Sequence, residues 1–296
     1  MFQYSKDFSE YLGVVRNMSK NTISAYTRDV SGFSKFLAQK SGARLSEASN
    51  TDVVAYLISL KNSGKSAATV NRNTASLRTF YNCLHELSHI SANPTENIKS
   101  PKVVRKEPEF LTIKEVDKLI SLPDRSVKGI RDKAILEVLY ATGIRVSEII
   151  EANIEDVNLR MGFITCTGEF GKARIIPMGR PARAAIEEYI FEARLKFLKA
   201  KNKETNALFV NYTGDRITRQ GLWKLLKEYA KRAGIESKIT PQTLRNSFAI
   251  HMIQNGADLK SLQELLGHED ITATQVYLSA TKNRIKDVYD RTHPRA

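Results

Sequence analysis

The sequence predicts a mainly α-helical protein of two domains, the second of which carries a small β-sheet. Apolar residues recur every three or four positions through most of the chain, which is the spacing of a buried helix face. Only residues 162–178 show short β-type runs around glycines. A segment rich in proline and charge, residues 92–110, separates the two halves and predicts an extended linker. At 296 residues, 42% of them hydrophobic, the chain is long enough to form two cores.

The N-terminal domain, residues 1–91, is predicted to be an all-helical bundle. Its first long helix follows the candidate cap Ser19 and buries a stripe of apolar residues: Ile23, Tyr26, Val30, Phe33 and Leu37. A second helix opens at Thr51 and Asp52, and a third runs to Leu87, which we expect in the core. The aromatic residues of these helices indicate core packing rather than base stacking.

Several basic residues outside the apolar stripes are candidates for contact with phosphate. Arg72 and Arg78 lie on the polar face of the third helix, and Lys102 and Arg105 lie in the linker. Such residues commonly form a solvated surface or a plain tether, but in a chain this basic they are also predicted to bind a DNA backbone.

The second domain, residues 111–296, is predicted to combine helices with a hairpin. An apolar run over residues 130–140 predicts a buried helix that ends at Gly143, which places Arg145 in the following turn or first helical turn. The segments GFITC and RIIPM flank TGEFGKA and predict two antiparallel strands, and residues 208–210 are a candidate third strand. Helical patterning returns from Thr218 onwards.

The charge balance points to a polyanionic partner. The formal net charge is +14, and nucleic acid is the most common partner of such a chain, although a generally basic protein fits the charge as well. No apolar run is long enough to span a membrane, and the N-terminus lacks the apolar core of a signal peptide, so we expect a cytoplasmic protein without membrane insertion. Cys83 and Cys166 lie far apart, which suggests reduced thiols rather than metal ligands.

Four residues of the second domain have side chains suited to phosphoryl transfer: Arg145, Arg245, His268 and Tyr277. Arginine pairs with phosphate oxygens through two parallel hydrogen bonds and stays charged at any working pH. A tyrosine hydroxyl can form a covalent phosphoester, and a histidine can donate to phosphate or handle the phenol proton. The consecutive acids after His268 do not share a helix face with it, so no metal site is predicted.

The segments TGIRVSE, TLRNSFAIHM, LLGHEDITATQVY and the terminal THPRA resemble the Xer branch of the tyrosine recombinases. In the N-terminal half, SKNTISAYTRDV and SAATVNRNTASLRTFYNCL resemble the DNA-binding domain of that family, so the resemblance covers nearly the whole chain. It implies the family's fold, which is a helical DNA-binding bundle followed by an α+β catalytic domain with a three-stranded antiparallel sheet. It also implies that Arg145 and Arg245 hold the scissile phosphate.

The mechanism implied by the resemblance needs no metal, ATP or cofactor. Tyr277 would attack a phosphate of the recombination site in duplex DNA, forming a 3′-phosphotyrosine and releasing a 5′-hydroxyl. The 5′-hydroxyl of a partner strand would then attack the phosphotyrosine linkage and rejoin the DNA. Four protomers, identical or of two kinds, would act on two sites, and the tail IKDVYDRTHPRA resembles a segment that docks on a neighbour, although a solvated tail fits it too. The compact length, together with the Xer likeness over the full length, favours chromosome dimer resolution at the nucleoid over integration of a mobile element.

The sequence departs from the family pattern at catalytic positions. Glu169 stands where the family has a lysine general acid; Lys172, three residues on, could replace it or be an exposed turn lysine. Gln242 stands where the family has a histidine, and Asn246 replaces another common histidine. Since loss of a general acid or base costs about 100- to 10,000-fold in rate, we hypothesise that the chain binds its sites normally but cleaves feebly, or depends on a partner.

Three other classes of protein share part of this pattern. Residues 257–277 also fit a helix-turn-helix regulator or architectural protein, but such a protein has no need of Arg145 far upstream. A type IB topoisomerase shares the chemistry and would act as a monomer. A metal-dependent nuclease fits least, because no cluster of acidic ligands is apparent.

Overall fold

The computed structural model describes residues 2, 4–99, 107–168, 171, 173–200, 202–235 and 239–279. The chain divides into two compact units, Met1–Arg105 and Lys106–Ala296. Four residues singled out in the sequence lie outside the described residues, as does the C-terminal tail: Lys102, Arg105, Glu169 and Lys172.

Within its described residues the first unit consists of helices and connecting turns. The helices are α1 (Ser5–Glu10, continued by a π-helical turn, Tyr11–Val15), α2 (Lys20–Lys40), α3 (Asn50–Asn62) and α4 (Ala67–Glu86). Their apolar faces meet in a core whose largest fully buried members include Phe8, Phe33, Phe80 and Tyr81. The predicted helical bundle is therefore present.

The predicted helix starts and core positions are mostly found. Ser19 caps α2, because its hydroxyl accepts a hydrogen bond from the Thr22 amide. Helix α3 begins at Asn50 rather than Thr51, since Ser49 is the cap and Asp52 closes the capping box from the third position. The prediction of Leu87 as core is wrong: helix α4 ends at Glu86, and the Leu87 side chain is 46% exposed.

Residues 92–99, the first part of the predicted linker, pack on the first unit. Thr95 and Ile98 are buried, and Arg78 Nη2 donates a hydrogen bond to the Ile98 carbonyl at 2.5 Å. The Arg72 guanidinium makes two hydrogen bonds, of 2.8 and 2.9 Å, to the buried Asp29 carboxylate. Both guanidiniums therefore hold parts of the first unit together.

The second unit contains nine described α-helices and one small sheet. The helices are α5 (Ile113–Ser121), α6 (Val127–Thr142), α7 (Val146–Glu151), α8 (Arg180–Glu188, continued by a π-helical turn, Tyr189–Arg194), α9 (Leu195–Lys199), α10 (Arg219–Ala233), α11 (Pro241–Gln254), α12 (Leu259–Leu266) and α13 (Thr272–Ser279). Helix α6 is buried along most of its length, which explains the apolar run that predicted it. In the part of the chain that the structure describes, no helix is long and apolar enough to cross a bilayer.

The sheet has three antiparallel strands in the order β1 (Val157–Asn158), β2 (Phe163–Thr167) and β3 (Ala173–Pro177). Strands β2 and β3 pair with Ile164 opposite Ile176, so the predicted hairpin is present. The expected third strand at residues 208–210 is wrong. Only single bridges form at Ala207 and Val210, because this apolar run fills the core as an irregular segment, and Val157–Asn158 supplies the third strand instead.

The turn between α6 and α7 packs closely against α11. Gly143 ends α6 in the left-handed conformation (φ 57°), and a Cβ atom there would lie 2.4 Å from the Phe248 ring of α11. Only glycine permits both the backbone conformation and this approach. The first candidate arginine follows two residues later.

Candidate active site

Arg145 is the N-terminal cap of α7, as the glycine stop predicts. Its main-chain N–H donates to Glu148 Oε2 and its Nη1 donates to Glu148 Oε1, both at 2.8 Å. Nη2 also donates to the Gly267 carbonyl. These contacts fix the guanidinium of a side chain that is still 36% exposed, so the side chain retains a face for a ligand.

Glu148 joins Arg145 to a third arginine that sequence reasoning missed. Arg174 of β3 donates to both Glu148 oxygens at 2.6 and 2.8 Å, and its Nε donates to the Leu265 carbonyl. Burial by itself raises the pKa of Glu148, but the hydrogen bonds from Arg174 and Arg145 outweigh it and lower that pKa to about 2. The carboxylate is therefore ionised at neutral pH and orients both arginines.

Arg245 lies on α11 and is almost fully buried. Its Nη1 donates to the Gly143 carbonyl at 2.5 Å, and its Nη2 donates to the Leu266 carbonyl at 2.7 Å and to His268 Nε2 at 3.0 Å. Burial and the neighbouring charge of Arg145 lower its pKa to about 10. The group still carries a full positive charge at neutral pH.

His268 follows Gly267, the left-handed residue that ends α12. Its Nε2 faces the Arg245 donor, so Nε2 is the acceptor and Nδ1 carries the proton, which it donates to Thr274 Oγ1 at 2.9 Å. Burial, followed by the charges of Arg245 and Arg145, lowers the pKa of His268 to about 4. The imidazole is neutral at pH 7.

Tyr277 lies on α13 and is 4% exposed, packed in a cluster with residues of α11 and α12. Its hydroxyl donates to Asn246 Oδ1 at 3.2 Å. Burial raises the pKa of Tyr277, whereas the charge of Arg245 and a hydrogen bond with its guanidinium favour the phenolate and lower it. The net pKa is raised, so the hydroxyl is protonated at rest.

The four predicted residues therefore meet at one place, where helices α11, α12 and α13 face the turn before α7. Gln242, one of the departures, lies on the exposed side of α11 and donates to Asn246 Oδ1 at 2.9 Å. Glu169 and Lys172 fall outside the described residues, so their predicted roles stay predictions. The described ranges contain no group of three or more His, Cys, Asp or Glu side chains placed to hold a metal ion.

Sequence reasoning missed four residues that support the site: Glu148, Arg174, Asn246 as a partner of tyrosine, and Thr274. Glu148 had a readable signal, because a glutamate three residues after a helix cap forms a capping box. Arg174 carries no such signal. Its contact spans 26 residues and depends on how β3 packs beside α12.

Of the four residues predicted to bind DNA, the structure describes two. Arg72 and Arg78 are described and have partners within the first unit. The linker residues Lys102 and Arg105 are not described. All four remain predictions as DNA contacts.

Chemically, the site presents two guanidiniums, a neutral imidazole and a buried phenol beside one another. Forked cations suit the equatorial oxygens of a phosphodiester, and a phenol is a nucleophile that can store the broken bond as a phosphoester.

Comparison with known proteins places both units in one family. Residues 109–284 match the Phage integrase family, and residues 6–86 match the Phage integrase, N-terminal SAM-like domain. The chain is 45% identical to Tyrosine recombinase XerD of Oceanobacillus iheyensis, over the full length of both chains. It is 44% identical to Tyrosine recombinase XerD of Listeria monocytogenes, covering 98% of each chain.

Solved structures support the same fold. XerA recombinase is 26% identical, with a TM-score of 0.56 over 99% of both chains. XerH site-specific recombinase, solved bound to a palindromic difH substrate, has a TM-score of 0.75 at 21% identity over 96% of this chain and 83% of its own. The resemblance to the Xer recombinases is thus confirmed, and the chain belongs to the phage integrase family and is a tyrosine recombinase.

Proposed function

We propose that this chain cuts and rejoins duplex DNA at a specific site, with Tyr277 as nucleophile and Arg145 and Arg245 as ligands of the scissile phosphate. The observation that carries the proposal is that Arg245 donates to the His268 imidazole while the Tyr277 hydroxyl donates to Asn246, the residue that follows Arg245 on α11. The charge of Arg245 acts on both the imidazole and the phenol. A phosphate held by that group would lie next to the phenol.

In the cleavage step, the Tyr277 oxygen forms a bond to phosphorus and the bond from phosphorus to the 5′-oxygen breaks. The phenol loses its proton to solvent or a base, and the 5′-oxygen gains one as it leaves. Because the bond energy is kept in the phosphotyrosine, a second 5′-hydroxyl can reverse the step without ATP. The two arginines balance the charge on the non-bridging oxygens.

His268 would act differently before and after DNA binds. In the free site its low pKa, about 4, makes it a weak base that holds Nη2 of Arg245 in place. A bound phosphate brings negative charge that offsets both arginines, which raises the pKa of His268 and favours a protonated, donating imidazole. The general acid for the 5′-oxygen is proposed to be Lys172, since Glu169 cannot donate a proton while ionised.

DNA binding by this chain is supported by the net charge of +14 and by family membership. We assign residues 1–91 to DNA binding, 92–110 to a linker and 111–296 to catalysis. Arg72, Arg78, Lys102 and Arg105 are the proposed backbone contacts; Arg72 and Arg78 each keep donors beyond those they use within the first unit. A tetramer on two sites, with the C-terminal tail docked on a neighbour, completes the proposal.

The proposed biological role is resolution of chromosome dimers by a cytoplasmic, nucleoid-associated enzyme. It rests on full-length similarity to several proteins named XerD. Deletion of the gene should leave unresolved chromosome dimers that block cell division. The wild-type gene, but not Tyr277→Phe, should restore chromosome separation and division. A deletion that only stops movement of a genetic element would favour the mobile-element role instead.

The chemistry is tested by a nicked duplex whose sequence is selected by the wild-type chain from a random library. Incubation followed by a denaturing gel should give a covalent protein–DNA band with wild type and none with Tyr277→Phe, while both retain duplex binding. Recombination between paired sites, without relaxation of single-site plasmids, is expected of a recombinase. A band that persists in Tyr277→Phe, or no band at all, would overturn the proposal.

A further inference from the structure

Asn246 follows Arg245 on α11, and both polar atoms of its side chain form hydrogen bonds. Its Nδ2 donates to the Glu109 carbonyl at 2.9 Å, and its Oδ1 accepts from Gln242 Nε2 at 2.9 Å and from the Tyr277 hydroxyl at 3.2 Å. The amide is 8% exposed. Its orientation is fixed by these partners, because a flipped amide would set its oxygen against a carbonyl and its nitrogen against the Gln242 donor.

The contact with Tyr277 orients the nucleophile without activating it. An amide oxygen accepts a hydrogen bond but takes no proton at neutral pH, so it stabilises the phenol rather than the phenolate. Tyr277 lies on α13 and Arg245 on α11, and the Asn246 contact links these two helices at the hydroxyl. The phenolic oxygen is therefore tied to the residue that follows Arg245, within reach of the charge of its guanidinium.

Gln242, one helical turn before Asn246, also donates a hydrogen bond to Asn246 Oδ1. Since an amide oxygen has two lone pairs, Gln242 and Tyr277 together fill the acceptor sites of Asn246. The two departures from the histidine pattern are thus in contact with each other and form one chain of hydrogen bonds that ends at the nucleophile.

We propose that Asn246 is a positioning residue of strand cleavage that holds the Tyr277 hydroxyl at Arg245, and that Gln242 fixes the Asn246 amide in the required orientation. This inference rests on the proposed function, in which Tyr277 is the nucleophile. It assigns to these two amides a role in place of the proton transfer that neither can perform.

The test compares Asn246→Ala with a matched control, Ser247→Ala. Ser247 is the next residue of α11, and its hydroxyl accepts from the Leu111 amide at 2.8 Å, so its loss also removes a tie between α11 and the segment at residues 109–111. The probe is the nicked duplex selected by the wild-type chain. Asn246→Ala should lower the rate of covalent complex formation by about 100-fold, the loss that a misplacement of about 1 Å can cause. Ser247→Ala should retain the rate to within about threefold, and both should bind the duplex as wild type does.

The pH dependence separates positioning from a structural role. The charged groups that act on the Tyr277 phenol are Arg245 of α11 and Arg145 at the start of α7, and both remain in every variant. Asn246→Ala removes an acceptor that favours the phenol, so the limb on which the rate rises with pH, as Tyr277 ionises, should move to lower pH. Asn246→Asp adds a negative charge at the hydroxyl, so the same limb should move to higher pH. A structural role alone predicts no such opposite shifts.

The outcomes distinguish this inference from the function on which it rests. If wild type forms no adduct, the proposed function fails and the inference with it. If wild type forms the adduct, and Asn246→Ala matches Ser247→Ala with an unmoved profile, only the inference fails. Should Asn246→Ala not fold, Gln242→Ala replaces it, because Gln242 is exposed; it should slow cleavage several-fold and move the profile to lower pH, and an unchanged rate and profile would refute the inference.

Discussion

Arg245 donates a hydrogen bond to the main-chain carbonyl of Gly143, two residues before Arg145. The two arginines proposed to bind phosphate are thereby tied through a single turn, although a hundred residues separate them in the sequence. Any change that moves this turn displaces both cations together.

Gly143→Ala should therefore disrupt the site through the backbone. The residue has φ 57°, and a Cβ atom would lie 2.4 Å from the Phe248 ring. We expect a loss of unfolding free energy above the ~1 kcal/mol of left-handed strain alone, with a marked loss of adduct formation. The control is Gly42→Ala, which has φ 69° and open space around the Cβ position, and should show only the strain. Equal urea midpoints for the two variants would contradict the packing argument.

Glu148→Gln should be strongly destabilising. The carboxylate is buried and balances Arg174 and Arg145, so its removal leaves a buried guanidinium uncompensated, at a cost of about 3–5 kcal/mol. The pKa of Glu148 is lowered from 4.5 to about 2, so this stabilisation is complete above pH 4.5 and is lost as the pH falls towards 2. Urea unfolding at several pH values should show the two curves converging in that window. Glu228→Gln, which breaks an exposed pair with Lys128, serves as the control and should change little.

His268 should make stability depend on pH under mildly acidic conditions. Its pKa is lowered from 6.5 to about 4 in the folded chain, so the unfolded chain binds a proton first as the pH falls below 6.5. The contribution of the neutral imidazole is present above pH 6.5 and is lost progressively towards pH 4. Wild type should therefore lose more unfolding free energy between about pH 7 and pH 5 than His268→Gln does. Parallel losses would show that the imidazole is not held neutral.

A rescue experiment can decide whether Lys172 is the general acid and whether a lysine at position 169 can take over that role. Lys172→Ala should lower adduct formation about 100-fold or more, as expected on loss of a general acid. Adding Glu169→Lys to that variant should restore cleavage, because a lysine then stands at the position the family uses. A Lys172→Ala variant with the wild-type rate would exclude Lys172 as the acid.

Much of the fold follows from local patterns in the sequence. The caps, the glycine stop at Gly143 and the β2–β3 hairpin are set by residues close to one another, so spacing rules predict them. Local patterns fail to predict the structure where tertiary packing decides it. Residues 208–210 have strand-like composition but fill a core, and Leu87 continues an apolar period one position beyond the end of its helix.

The candidate site was predicted in its reactive groups but not in their support. Arg145, Arg245, His268 and Tyr277 carry recognisable motifs, and the structure brings them together. Arg174 and Thr274 act through contacts that only the folded chain creates, and nothing in their neighbouring residues distinguishes them from other polar side chains.

The carbonyls of Gly143, Leu266 and Gly267 occupy guanidinium donors of Arg245 and Arg145 in the free chain. Both cations are thus immobilised during folding, before any duplex arrives, so capture of a phosphate requires little further loss of rotamer entropy. Binding of an anionic acceptor on the exposed face of Arg145 should then appear in calorimetry as a favourable enthalpy that weakens with added salt.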